Sequence, residues 1–127
     1  MSTRPTSIGA ITLFTEDLAA SKAFYLKVFG MPIIFENEDS AVFKIGGTMI
    51  NLLLITQANE LIEPAKVGTR DAGSRVVFSV EVDDVDAMCA KLVSLGVTFL
   101  NGPMDRPWGI RTASFCDPSG HIWEIGK

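Results

Sequence analysis

Few side chains in this sequence could do bond chemistry, and their spacing keeps most of them apart. The 127 residues contain one histidine, His121, and two cysteines, Cys89 and Cys116. The cysteines lie within apolar segments and form no CxxC pair or spaced framework, so they read as reduced, structural thiols. His121 stands three residues before Glu124 in a β-like run. Side chains alternate faces along a strand, so an odd separation turns the two away from one another. That leaves Glu124 as a lone carboxylate, suited to proton transfer or to meeting a cation or hydrogen-bond donor. The aromatic residues Phe14, Phe35, Phe43 and Trp108 could stack on a flat molecule. The same four could equally be ordinary core, except that Trp108, in a Pro/Gly-rich loop, needs something to lie on.

Composition narrows the classes of partner. Nearly half of the residues are apolar and a fifth are charged, with a net charge of −4 and no Lys/Arg cluster. A packed globular body is expected, without the electrostatic footprint for nucleic acid or an anionic membrane. Met1 to Ser7 carries no apolar stretch of signal-peptide length, and no run is long enough to span a bilayer, so a cytoplasmic protein is expected.

The elements that must position these groups repeat. Ile8 to Phe14 is β-like, and Leu18 to Phe29 is helical, with Asp17 to cap it and Gly30 to end it. Leu18, Ser21, Tyr25 and Val28 share one face of that helix. Three further β-like runs follow: Ile33 to Phe35, Ala41 to Ile45, and Met49 to Ile55. The order βαβββ then starts again. Arg75 to Val82 is a strand, and Asp84 caps a helix with Val85, Met88, Leu92 and Leu95 at helical spacing before Gly96. Val97 to Leu100, Ile110 to Cys116 and Ile122 to Ile125 complete the set. Asp17 pairs with Asp84, Gly30 with Gly96, and Gly47-Thr48-Met49-Ile50-Asn51 with Gly120-His121-Ile122-Trp123-Glu124. A common order at a nearly constant offset marks an internal repeat. Residues 1–56 form the first module, 57–74 a connector containing Pro64, Gly68 and Gly73, and 75–127 the second module, with a longer loop from Asn101 to Gly109.

The segments LFTEDLAASKAFYLKVFG, VEVDDVDAMCAKLVSLG and RPWGIRTASFCDPSGHIWEIGK together resemble the vicinal oxygen chelate superfamily, with DPSGHIWE the most specific part. That superfamily includes glyoxalases, extradiol dioxygenases, fosfomycin-modifying transferases and metal-free drug-binding resistance proteins. The resemblance implies an α+β fold: two tandem βαβββ modules forming a cupped, incompletely closed mixed β-sheet cavity, in a homodimer that often exchanges modules.

It also implies where a metal would sit, at the first and last strands of each module. Residue by residue, those positions hold Ala10, Val77, Asn51 and Glu124. Divalent metals want several imidazole, carboxylate or thiolate donors, and alanine and valine offer none. No metal site, no cofactor and no catalytic set is therefore expected. The family pattern commonly has His or Asn in a turn at His121, which makes that residue structural.

By the same resemblance Ala10, Thr12 and Phe14, then Asn51, Leu53 and Ile55, then Ile110, Thr112 and Ser114, and finally Ile122 and Glu124 face the cavity. Ile11, Leu13, Leu52, Leu54 and Trp123 pack against helices. The registers of Phe35 and Phe43 leave core or pocket open for each. The expected ligand-binding residues are Thr12, Phe14, Phe35, Phe43, Asn51, Leu53, Trp108, Thr112, Ser114 and Glu124. They suit a hydrophobic, aromatic small molecule, with an antibiotic held by sequestration as the expected class. The alternatives are an enzyme using Glu124 as base or a weak Asn51/Glu124 metal, and a protein-binding module with a vestigial cavity.

Overall fold

The computed structural model describes residues 3–127; Met1 and Ser2, at the start of the segment read as lacking a signal peptide, lie outside them. The chain divides into two compact units, Met1–Val67 and Gly68–Lys127.

The first unit contains β1 (Ala10–Thr15), α1 (Leu18–Phe29), β2 (Phe35–Glu36), β3 (Ser40–Ile45), β4 (Thr48–Leu54) and α2 (Ile55–Ile62). Its sheet has the order β1-β4-β3-β2, with β1 parallel to β4 and the other pairs antiparallel. The Asp17 side chain accepts the Ala20 N–H and so starts α1, and Gly30, at φ 66°, ends it. The strands β3 and β4 meet in a two-residue hairpin through Gly46-Gly47, with Ile45 opposite Thr48. Ser21, Tyr25 and Val28 of α1 are buried against one face of this sheet, as their spacing predicts. Leu13, Ile50 and Leu52 are buried too, and the Thr15 and Ser21 hydroxyls share a 2.8 Å hydrogen bond.

The end of β4 differs from expectation. β4 stops at Leu54, and Ile55, expected on the cavity face of a strand, opens α2, which runs to Ile62 in what reads as connector. No side chain caps this helix, so the sequence carries no start signal; burial of Ala58 anchors it instead.

The second unit repeats the pattern with β5 (Val77–Glu81), α3 (Val85–Ser94), β6 (Phe99–Asp105), β7 (Arg111–Cys116) and β8 (Ile122–Gly126), in sheet order β5-β8-β7-β6. Asp84 caps α3 by accepting the Ala87 N–H. Val85, Cys89 and Leu92 are its buried residues, whereas Leu95, grouped with them by spacing, is exposed. Phe78, Trp123, Phe115 and Phe99 stand side by side across the four strands, and Phe115 and Trp123 are buried.

The segment read as a loop from Asn101 belongs largely to β6, which reaches Asp105 by means of two register shifts around Asn101. Asn-Gly-Pro looks like a turn, yet β-bulges absorb it. Gly102 makes this possible. A Cβ there would lie 2.5 Å from the Thr112 carbonyl oxygen and 2.7 Å from Ala113 Cα.

Each unit is thus an α+β, mixed four-stranded sheet, and together they make the tandem βαβββ pair that the repeat predicts.

Candidate functional site

In the first unit, alternation along β1 and β4 sends Leu13, Ile50 and Leu52 into the core and turns Thr12, Phe14, Asn51 and Leu53 to the opposite face. Register then assembles a row across four strands. Thr12 lies beside Asn51, Asn51 opposite Val42, and Val42 opposite Phe35. A second row sets Phe14 beside Leu53 and Leu53 opposite Ser40. Five of the residues expected to bind ligand therefore share one face, and Phe35 is 57% exposed on it.

Phe43 corrects the expectation. It pairs with Ile50, is 0% exposed, and packs its ring 5.1 Å from that of Tyr25 on α1. The hairpin register puts it on the helix-covered side, so it is core and no ligand reaches it.

The helix α2 contributes a wall that the sequence reading lacked. A cavity of about 280 Å³ has Asn51 and Leu53 from β4, Asp39 from the β2–β3 turn, Ser40 at the start of β3, and Gln57 and Glu60 from α2 in its lining. The Asn51 Oδ1 atom is buried without a hydrogen-bond partner among the described residues. A buried acceptor left unpaired costs about 1–3 kcal/mol, so this position favours a ligand that donates.

In the second unit the corresponding row is polar: Ser79 beside Glu124, Glu124 opposite Ser114, Ser114 opposite Asn101. The Ser79 hydroxyl donates to Glu124 Oε1 at 2.9 Å. A cavity of about 420 Å³ has Ser79, Glu81, Ile110, Glu124, Gly126 and Lys127 in its lining.

Thr112 and Ser114, expected to line the pocket, are buried. Thr112 is 0% exposed because the segment after β6 folds back and Arg106 Nε donates to its hydroxyl at 2.8 Å. Arg106 Nη2 also donates to Asn101 Oδ1 at 3.0 Å. The guanidinium stands 5.9 Å from the centroid of the Trp108 ring, which is 68% exposed. Arg106 is the functional candidate that sequence reasoning missed. Its one signal is its place in RPWG, two residues before Trp108.

The donor set for a metal can be tested against these registers. Ala10 lies beside Met49 and Val77 beside Ile122, with no donor side chain in either pair except the Met49 thioether. Among the described residues, no three His, Cys, Asp or Glu side chains gather into a metal-binding group. His121 is committed elsewhere: its Nδ1 is 2.8 Å from Asp117 Oδ2, and the buried Asp117 carboxylate also accepts the Ser119 and His121 backbone N–H groups. The residues present do not fit a family-type divalent ion. Burial raises the thiol pKa of Cys89 and of Cys116 above the ordinary value, further from the nucleophilic thiolate.

Comparison with known proteins agrees with this architecture. Residues 7–125 match the model of the Glyoxalase/Bleomycin resistance protein/Dioxygenase superfamily, and the chain belongs to that superfamily. It is 36% identical to the Bacillus subtilis protein YraH over 121 residues, covering 92% of this chain and 94% of that one. It is 28% identical to the metallothiol transferase FosB of Lysinibacillus sphaericus over 119 residues, covering 94% of this chain and 80% of the transferase. Among solved structures, a glyoxalase/bleomycin resistance protein/dioxygenase from Nocardioides superimposes with a TM-score of 0.84 at 28% identity, covering 99% of this chain and 85% of that one. No helix among the described residues is long and apolar enough to cross a membrane.

Proposed function

We propose that this protein is a metal-independent binding protein that sequesters a hydrophobic, aromatic small molecule, with an antibiotic as the candidate class. The observation that carries the reading is the donor-free pair Ala10 and Val77, at the positions where metal-dependent relatives would need ligands. With that chemistry gone, what remains is apolar contact surface from Phe14, Phe35 and Leu53 on the first sheet and the polar row Ser79, Glu124, Ser114 and Asn101 on the second. In the first unit Phe35 supplies exposed aromatic area and Asn51 an acceptor for a donating ligand. In the second unit Trp108 supplies the aromatic area and Glu124 the carboxylate. The ligand-bound form is proposed to be a cytoplasmic homodimer, checked by light scattering on the eluting protein.

The test is elemental analysis and native mass spectrometry of untagged protein, followed by fluorescence titration with aromatic drugs. Trp108 is exposed and Trp123 is 2% exposed, so ligand quenching should be lost in Trp108→Phe. Stoichiometric divalent metal, or no binding tighter than about millimolar, refutes the proposal.

The FosB likeness and the Ser79–Glu124 hydrogen bond favour one second reading, an enzyme with Glu124 as general base. Turnover by wild type that Glu124→Gln abolishes would establish it.

A further inference from the structure

The cation of Arg106 is held in place without being neutralised. Its Nε and Nη2 groups donate to two neutral acceptors, the Thr112 hydroxyl and the Asn101 carboxamide oxygen. No carboxylate pairs with it among the described residues. The adjacent Asp105 is engaged instead by Arg111, at 3.1 Å, and Arg111 also grips Asp86 with two hydrogen bonds of 3.0 Å. A guanidinium has five N–H donors, so the Nη1 side of this planar fork stays uncommitted. Arg106 is half-buried, in a chain of net charge −4. Beside it the exposed Trp108 ring adds a flat apolar surface.

We infer that Arg106 and Trp108 form the recognition element for an anionic group on a flat aromatic ligand, a carboxylate, sulfonate or phosphonate accepted by the free edge of the guanidinium while the ring system lies against the indole. This inference rests on the small-molecule reading above and specifies its ligand class. A group that presents two oxygens side by side matches the fork of arginine better than it does the point charge of lysine. The acceptors Thr112 and Asn101 fix the fork beforehand, so little side-chain entropy is lost when an anion arrives. Glu124, held by Ser79 across the sheet, is two strands from Asn101 in the same row. That is about 10 Å by strand spacing, far enough for the donor-seeking carboxylate and the acceptor-seeking guanidinium to address opposite ends of one ligand.

The experiment compares 2-naphthoate with 2-naphthamide, near-isosteres differing in charge, by calorimetry and by the NMR resonance of the Arg106 Nε–H. The acid should bind wild type on the order of tenfold or more tightly than the amide and should move the Arg106 resonance, which the amide should not. Arg106→Met should remove the preference, bringing acid and amide to equal affinity, and Arg106→Lys should retain part of it. If Arg106→Met unfolds, Arg106→Gln, which keeps a donor for Thr112, takes its place. Equal affinity for acid and amide, or a preference that survives loss of the charge, overturns the assignment of Arg106 and leaves the binding function standing. Failure of both compounds to bind overturns the small-molecule reading for flat aromatics and this inference with it.

Discussion

Replacing Gly102 by alanine tests the part of the fold that places Arg106. Two costs add at this position. The residue has φ 86°, a backbone conformation that an L side chain resists by roughly 1–2 kcal/mol. The new Cβ would also lie 2.7 Å from Ala113 Cα, roughly 0.8 Å inside ordinary carbon–carbon contact, and 2.5 Å from the Thr112 carbonyl oxygen. Both neighbours are backbone atoms of β7, between β6 and β8, and cannot swing aside. Overpacking of this kind costs about 1–3 kcal/mol, giving about 2–5 kcal/mol in total for Gly102→Ala. The molecule supplies its own controls. Gly96 has φ 82° but nothing within 4 Å of its Cβ position, so Gly96→Ala should cost only the conformational part. Gly9 has neither burden, and Gly9→Ala should fall within about 0.5 kcal/mol of wild type. Urea unfolding followed by far-UV circular dichroism reads all three. Destabilisation by Gly102→Ala no greater than by Gly96→Ala would show that the close approach to β7 costs nothing.

Phe43→Ala should cost about 3–5 kcal/mol by emptying the space beside Tyr25, whereas Phe35→Ala should leave the melting temperature nearly unchanged and weaken ligand binding; thermal melts and titrations separate the two. Asp117→Ala removes the acceptor for two backbone N–H groups and the His121 ring, and chemical denaturation should show a loss of about 2–4 kcal/mol. Cys89 should react with iodoacetamide at pH 7.5 more slowly than a free thiol, because burial and the nearby Asp86 raise its pKa. The same shift makes its contribution to stability complete below the unfolded thiol pKa and lost as pH rises through the higher folded one. Mass spectrometry of the alkylated protein checks the rate, and rapid labelling at neutral pH would contradict the burial.

Much of the scaffold could be read from local chemistry. Asp17 and Asp84 announce their helices because a carboxylate at that position accepts an otherwise unpaired backbone N–H. The two-residue period separates Leu13, Leu52 and Trp123 from Thr12, Asn51 and Glu124 without any knowledge of their neighbours. Reading failed where local preference was overruled. Ile55 is β-branched and continues an apolar run, so it looks like strand, yet it opens α2. Asn101-Gly102-Pro103 has the composition of a turn, but the bulges of β6 carry the strand through it.

What the sequence by itself determined is the repeat, the capped starts of α1 and α3, the alternation of faces along the strands β1, β4 and β8, and the want of metal donors at Ala10 and Val77. These follow from intervals of a few residues and from side-chain chemistry. The tertiary structure alone decided that Phe43 is core, that α2 walls Asn51, and that Arg106 crosses to Thr112 and Asn101. Those outcomes depend on which strands pair and in what register, and a residue's own neighbours in the chain carry no record of the partner it will meet across a sheet.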